Sequence, residues 1–137
     1  MIVMSVDLGH VRTGLAISDS GGFLASSLCV IEEKYDERLI DKIVDKAREN
    51  RAERIVVGLP KNMDGSEGES AIRARDLAQK ITDRSGIPTV MQDERGTTLT
   101  AHAYLSAGEV YGKRRKQKVD AVAASIILQD YLDSRKD

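Results

Sequence analysis

A single cysteine, Cys29, stands in the 137 residues. No internal disulfide can form from it, which excludes a secreted disulfide scaffold and fits a reducing, cytoplasmic setting. Aromatic residues are scarce as well: one Phe, four Tyr and no Trp. Base-stacking platforms of the kind that read single strands in aromatic-rich sheets are therefore not expected. No apolar run approaches the roughly 18 residues that a membrane span needs, so no membrane partner is expected. The stretch Met1 to Asp7 carries an early acid and no basic leader region, so no secretory signal is expected. Several catalytic signatures are missing too. There is no HExxH, no CxxC pair, no GxSxG and no GxxxxGK[ST], so zinc, serine-hydrolase and P-loop chemistries lack their motifs. Charge of one sign is also absent. Twenty-one basic residues face 22 acidic ones, for a net charge of −1. The total gives no hint of a nucleic-acid partner, so any such reading rests on where the charges sit.

What is present is 41% hydrophobic and 31% charged residues, the composition of an ordinary globular domain. The length suits one domain, expected over residues 1–137. Ile2 to Leu8, Thr13 to Ser18 and Phe23 to Ile31 have strand character. The connections between them are short, which predicts an antiparallel meander because parallel strands need a long crossover. The period then changes. Leu39, Ile40, Ile43, Val44 and Ala47 recur at helical spacing between Asp36 and Asn50, with Asp36 as N-cap. Arg54 to Gly58 reads as a strand buried on both faces. Ser66-x-x-Glu69 is a capping-box pattern ahead of a helix whose stripe is Ala71, Ala74, Leu77, Ala78 and Ile81. Thr89 to Gln92 is a fifth strand. A helix capped by Thr97 or Thr98 should run to about Ala107. Gly108 to Lys118 reads as a basic loop, and Val119 to Leu132 as a last helix. The expected fold class is α/β, a mixed sheet extended through right-handed crossovers.

Acids fall at three element ends. Asp7 closes an apolar strand, where a carboxylate is costly without a partner or metal, although an Asp before Leu8-Gly9 also suits a turn. Asp93-Glu94-Arg95 follows the fifth strand, and strand C-terminal ends are where open α/β sheets place their ligands. Arg95 could neutralise one acid or grip a phosphate; a solvated surface ion pair is the plainer alternative. Asp120 opens the expected last helix, where an acid also favours the helix dipole. Mg²⁺ or Mn²⁺ takes oxygen ligands and keeps several waters, so a few carboxylates and substrate phosphates complete its shell. Two such ions can activate water and stabilise the leaving oxygen of a phosphodiester. Next to Asp120 lies Lys113-Arg114-Arg115-Lys116-Gln117-Lys118. Beside an acidic metal site this run makes sense as a clamp on a phosphate backbone, with Arg12, Lys61 and Arg95 adding to the same face. His10 is close to Asp7 in sequence, as a ligand, a proton shuttle or polar surface. His102 sits on an expected helix, and Cys29 reads as packing.

These residues form a recognisable pattern. Asp7-x-Gly9-x-x-Arg12-x-Gly14-x-Ala16-x-Ser18-Asp19 resembles the signature of the YqgF family of Holliday junction resolvase-like proteins. So do Val57-Gly58-Leu59-Pro60-Lys61-Asn62-Met63-Asp64-Gly65, Asp93-Glu94-Arg95-x-Thr97-Thr98, and Lys118-Val119-Asp120-x-x-Ala123-Ala124-x-x-Ile127-Leu128-Gln129-x-Tyr131-Leu132. The resemblance implies a ribonuclease H-like three-layer fold, with a five-stranded sheet in the order 3-2-1-4-5 and helices on both faces. It implies a cytoplasmic nuclease of ribosome biogenesis, a hydrolase that matures the 5′ end of pre-16S rRNA, with Holliday junction resolution on branched DNA as the alternative. By the same resemblance, Asp7, Glu94 and Asp120 would be the catalytic and metal-binding acids, with Asp93 as substitute for Glu94 and Mg²⁺ or Mn²⁺ as cofactor. One departure stands out. The wider fold carries an acid at the end of the fourth strand, where this chain reads Gly58-Leu59-Pro60. That favours a rival reading, a non-catalytic nucleic-acid-binding assembly factor. A second rival is a nucleotide site like the phosphate loop of actin- and Hsp70-like ATPases, which pair two such domains. Monomer and homodimer both remain open, a dimer suiting two-fold symmetric substrates.

Overall fold

The computed structural model describes residues 1–94 and 112–135, with the backbone alone for 112–120. Five strands form one sheet: β1 (Val3–Asp7), β2 (Arg12–Ser18), β3 (Ala25–Glu32), β4 (Arg54–Leu59) and β5 (Thr89–Asp93). Their order is β3-β2-β1-β4-β5, as the resemblance implies. The meander is antiparallel, and β1–β4 and β4–β5 are parallel. Consequently the C-terminal ends of β1, β3, β4 and β5 and the start of β2 share one sheet edge.

Side-chain alternation along the strands builds two cores. Met4, Val6, Leu15, Ile55, Val57 and Leu59 pack with α1 (Asp36–Glu49) and α2 (Glu69–Ser85). Val3, Ala16 and Val56 pack on the other face with Ala124, Ile127, Leu128 and Leu132 of α3 (Gly112–Ser134). The expected stripes of α1 and α2 are buried residue for residue. Truncating a fully buried member such as Ile43 would cost about 2–5 kcal/mol.

Four local readings need correction. Phe23 and Leu24 lie ahead of β3 and are exposed, because the Asp19 carboxylate accepts both their N–H groups in a turn. Tyr35, not Asp36, occupies the α1 N-cap; Asp36 instead binds Arg73 at 2.8 Å. The capping box does not form. Ser66 is drawn to Asp64 and Asn62, and Gly68 takes the N-cap of α2. Lastly, α3 begins at Gly112. The basic run Lys113–Lys118 is therefore helical rather than a loop, and Asp120 lies about two turns inside the helix rather than in its first turn. Lys and Arg are good helix formers, so local propensity agrees. The helix expected after Thr97 or Thr98, with His102, lies outside the described residues.

Candidate nuclease site

Asp7 ends β1 opposite Gly14 of β2. In the alternation of β1 it follows Val3 and Ser5, both directed at α3: Val3 belongs to the α3-side core, and Ser5 Oγ donates to the Ala124 carbonyl at 2.6 Å. In β5, Met91 packs toward α1 and α2 while Val90 packs toward α3. Asp93 therefore shares the parity of Met91, and Glu94 that of Val90. Glu94 extends the β4–β5 pairing by donating its N–H to the Leu59 carbonyl at 3.2 Å. Its side chain leans across β4 toward Asp7. The physical reason is Gly58. A Cβ placed on Gly58 would fall 2.7 Å from Glu94 Oε2 and 2.8 Å from Ile127 Cδ1. The absent fourth-strand acid is thus absent for a reason: the space above Gly58 holds a carboxyl supplied by the neighbouring strand.

The pairing has an electrostatic signature. The Glu94 carboxyl is pushed up to about 9, first by burial, then by the Asp7 charge and by a hydrogen bond to Asp7, and last by Asp93. At neutral pH the Asp7–Glu94 pair therefore favours holding a proton between its two carboxyl groups. Two half-buried carboxyl groups in contact repel when both are ionised. A divalent cation between them relieves that repulsion, and all-oxygen donors suit Mg²⁺ or Mn²⁺. The two residues fit such an ion. Among the described residues, no set of three or more His, Cys, Asp and Glu side chains converges.

Of the other expected site residues, Arg12 opens β2 and Lys61 follows β4, both partly buried at the edge that carries Asp7. Asp93 sits at that edge on the opposite parity. Position 120 lies one helical turn before Ala124, the residue that Ser5 ties to β1. The side chains of Asp120, Lys113, Arg114, Arg115, Lys116 and Lys118, together with Arg95, lie outside the described residues. His10 is exposed and lines an open cleft beside the start of α1. Cys29 packs against the larger core, and burial pushes its thiol up, as expected of a structural cysteine.

Sequence reasoning missed three residues of this region. Gly58 was legible only as a missing acid. Ser5 looked like an ordinary strand residue. Arg73, on α2, donates to the Gly9 carbonyl at 3.0 Å and fixes the loop that leaves Asp7. Gly9 itself is required there, since a Cβ would overlap the Arg12 carbonyl.

A family model described as "RuvX: Holliday junction resolvase" matches residues 1–134. The chain belongs to the RuvX family. Among RuvX relatives, a protein of Leuconostoc citreum named "Putative pre-16S rRNA nuclease" is 40% identical over 137 residues, covering 98% of this chain and 96% of its own. Thermus thermophilus RuvC, solved in complex with a Holliday junction substrate, matches with a TM-score of 0.59 at 16% identity, over 98% of this chain and 96% of that one. The fowlpox virus resolvase, solved with Holliday junction DNA, matches with a TM-score of 0.59 at 12% identity, over 98% of each chain. At these identities the two structures establish the ribonuclease H-like fold alone. Membership in the RuvX family makes the chain a nuclease, a hydrolase acting on nucleic acid. No helix among the described residues is long and apolar enough to cross a membrane.

Proposed function

We propose that this RuvX protein is a Mg²⁺- or Mn²⁺-dependent endonuclease that processes the 5′ end of pre-16S rRNA in the cytoplasm. The observation that carries the reading is the Glu94 carboxyl lying over Gly58 beside the Asp7 carboxyl. Asp7 and Glu94 would hold the cation, with Asp120 completing the set from α3. Such an ion, when bound, lowers the pKa of a coordinated water and stabilises the leaving oxygen of a phosphodiester. Glu94 would be ionised in such a set, so that both carboxylates could serve as ligands. Arg12, Lys61, Arg95 and the basic turns of α3, Lys113 to Lys118, would hold the phosphate backbone. This assignment segregates the charges that cancel in the total.

A second reading, cleavage of branched DNA, is favoured by the description of the family. The assembly-factor reading loses its main support, because the position without an acid is filled by Glu94.

The deciding experiment incubates the purified chain with pre-16S rRNA bearing its 5′ extension and with a four-way DNA junction, each with Mn²⁺ or with EDTA. The expected result is Mn²⁺-dependent cutting of the RNA, abolished by Asp7→Asn while RNA binding persists. Wild-type rates in Asp7→Asn would remove Asp7 from the site. Cutting of the junction alone would select the second reading, and binding without any cutting the assembly factor.

A further inference from the structure

Beside the start of α1 lies an open cleft of about 810 Å³. It adjoins the loop that leaves Asp7: Arg73 binds the Gly9 carbonyl at 3.0 Å and the Asp36 carboxylate at 2.8 Å, joining the loop to α1. Tyr35 lines the cleft. Tyr35 is the N-cap of α1 and makes no side-chain cap bond. Ser, Thr, Asp or Asn would serve the helix better there. The residue is 55% exposed in a chain with only four tyrosines, so packing does not account for it either.

The charges around the ring are uneven. Each nearby acid is already matched: Asp36 with Arg73, Glu37 with Arg84 at 2.9 Å, and Glu33 with Lys42 at 3.0 Å. Lys34 and Arg38 instead lie 5.4 and 5.3 Å from the Tyr35 ring centroid. Neither has a carboxylate within ion-pair distance among the described residues. The result is an aromatic ring flanked by two cations that lack an ion-pair partner among the described residues, at the same end of the sheet as the candidate site but over its opposite face.

We propose that Tyr35, with Lys34 and Arg38, binds an unpaired nucleotide of the RNA that flanks the cleavage site. The proposal rests on the nuclease reading and extends it to the shape of the substrate. Bases inside a duplex have both faces covered; an unpaired base offers one to the ring. Base–aromatic stacking exceeds an exposed cation–π contact, so the ammonium and guanidinium swing from the ring to the phosphates on either side. Stacking tolerates any base. The cleft therefore selects an unpaired flank and not a sequence.

The test uses the full chain in EDTA and measures fluorescence anisotropy with a labelled RNA hairpin, with and without an unpaired uridine flank. The flank should tighten binding. Tyr35→Ala should lower affinity for the flanked hairpin about tenfold and erase its advantage over the blunt one, while Tyr35→Phe keeps it. Lys34→Ala with Arg38→Ala should flatten the salt dependence for the flanked hairpin only. Thermal melts check that each variant is folded. Equal affinity of Tyr35→Ala and wild type for the flanked hairpin overturns the proposal and leaves the nuclease reading intact, since that stands on cleavage. Tyr35-dependent binding by a chain that never cuts RNA would support the cleft and reject the pre-16S rRNA reading.

Discussion

Glu94 and Gly58 belong to neighbouring segments of the sheet, and the Glu94 carboxyl occupies the volume that a Gly58 side chain would need, 2.7 Å from the ideal Cβ position. The glycine thus decides where the acid points. Gly58→Ala should push the Glu94 and Ile127 side-chain ends aside. Cleavage should fall at least about tenfold, the loss that a misplaced catalytic group of about 1 Å readily produces. Both displaced groups are the ends of side chains that can turn away, so urea denaturation should show little loss of stability. Normal cleavage by a folded Gly58→Ala chain would show that Glu94 need not lie where it does.

The shared proton predicts a pH dependence of stability. The folded-state value of Glu94, about 9, lies above the ordinary 4.5. Between these pH values the folded chain holds a proton that the unfolded chain has lost. Stability from this pair therefore falls as pH rises from about 4.5 to about 9. The titration belongs to the Asp7–Glu94 pair rather than to one acid. In EDTA, Glu94→Gln should melt higher than wild type at pH 8, with the gap closing toward pH 4.5. A gap independent of pH would contradict the buried pair.

Metal addition should reverse that order. Mn²⁺ should raise the wild-type melting temperature at pH 8 by binding the folded state. It should do so far less in Glu94→Gln, which offers one carboxylate fewer. Equal shifts in both proteins would place the ion elsewhere.

The buried Ser5 hydroxyl is the polar tie between β1 and α3. Ser5→Ala removes one hydrogen bond and leaves no charge stranded, so a loss of about 1 kcal/mol is expected. Cleavage should fall more than stability alone explains, because Ala124 lies one turn from Asp120. Unchanged cleavage would show that the tie does not set the position of that acid.

If the basic turns of α3 grip phosphate, Arg114→Ala with Arg115→Ala should weaken RNA binding uniformly across sequences. The slope of log affinity against log salt should drop by about 1 per lost contact. An unchanged slope would remove these residues from the interface.

The sequence by itself determined the elements whose buried faces repeat. The stripes of α1 and α2 were legible because a 3.6-residue period survives any tertiary arrangement, and the short connections of the first three strands forced an antiparallel meander. Asp7 and Glu94 could be named as candidates from strand ends and motif spacing. The start of α3 was hidden because its first turns are a run of cations with no apolar stripe to betray a helix. The Tyr35 cap and the failed capping box were hidden because Arg73 claims Asp36 and Asp64 claims Ser66, contests between groups that a local pattern does not weigh. Only the tertiary structure decided what the missing fourth-strand acid means. Whether Gly58 is a defect or a seat depends on a side chain 36 positions away in sequence, brought over it by the parallel pairing of β4 and β5. The same pairing puts Asp93 and Glu94 on opposite faces of the sheet, with Glu94, which the sequence ranked ahead of Asp93, on the face of Asp7.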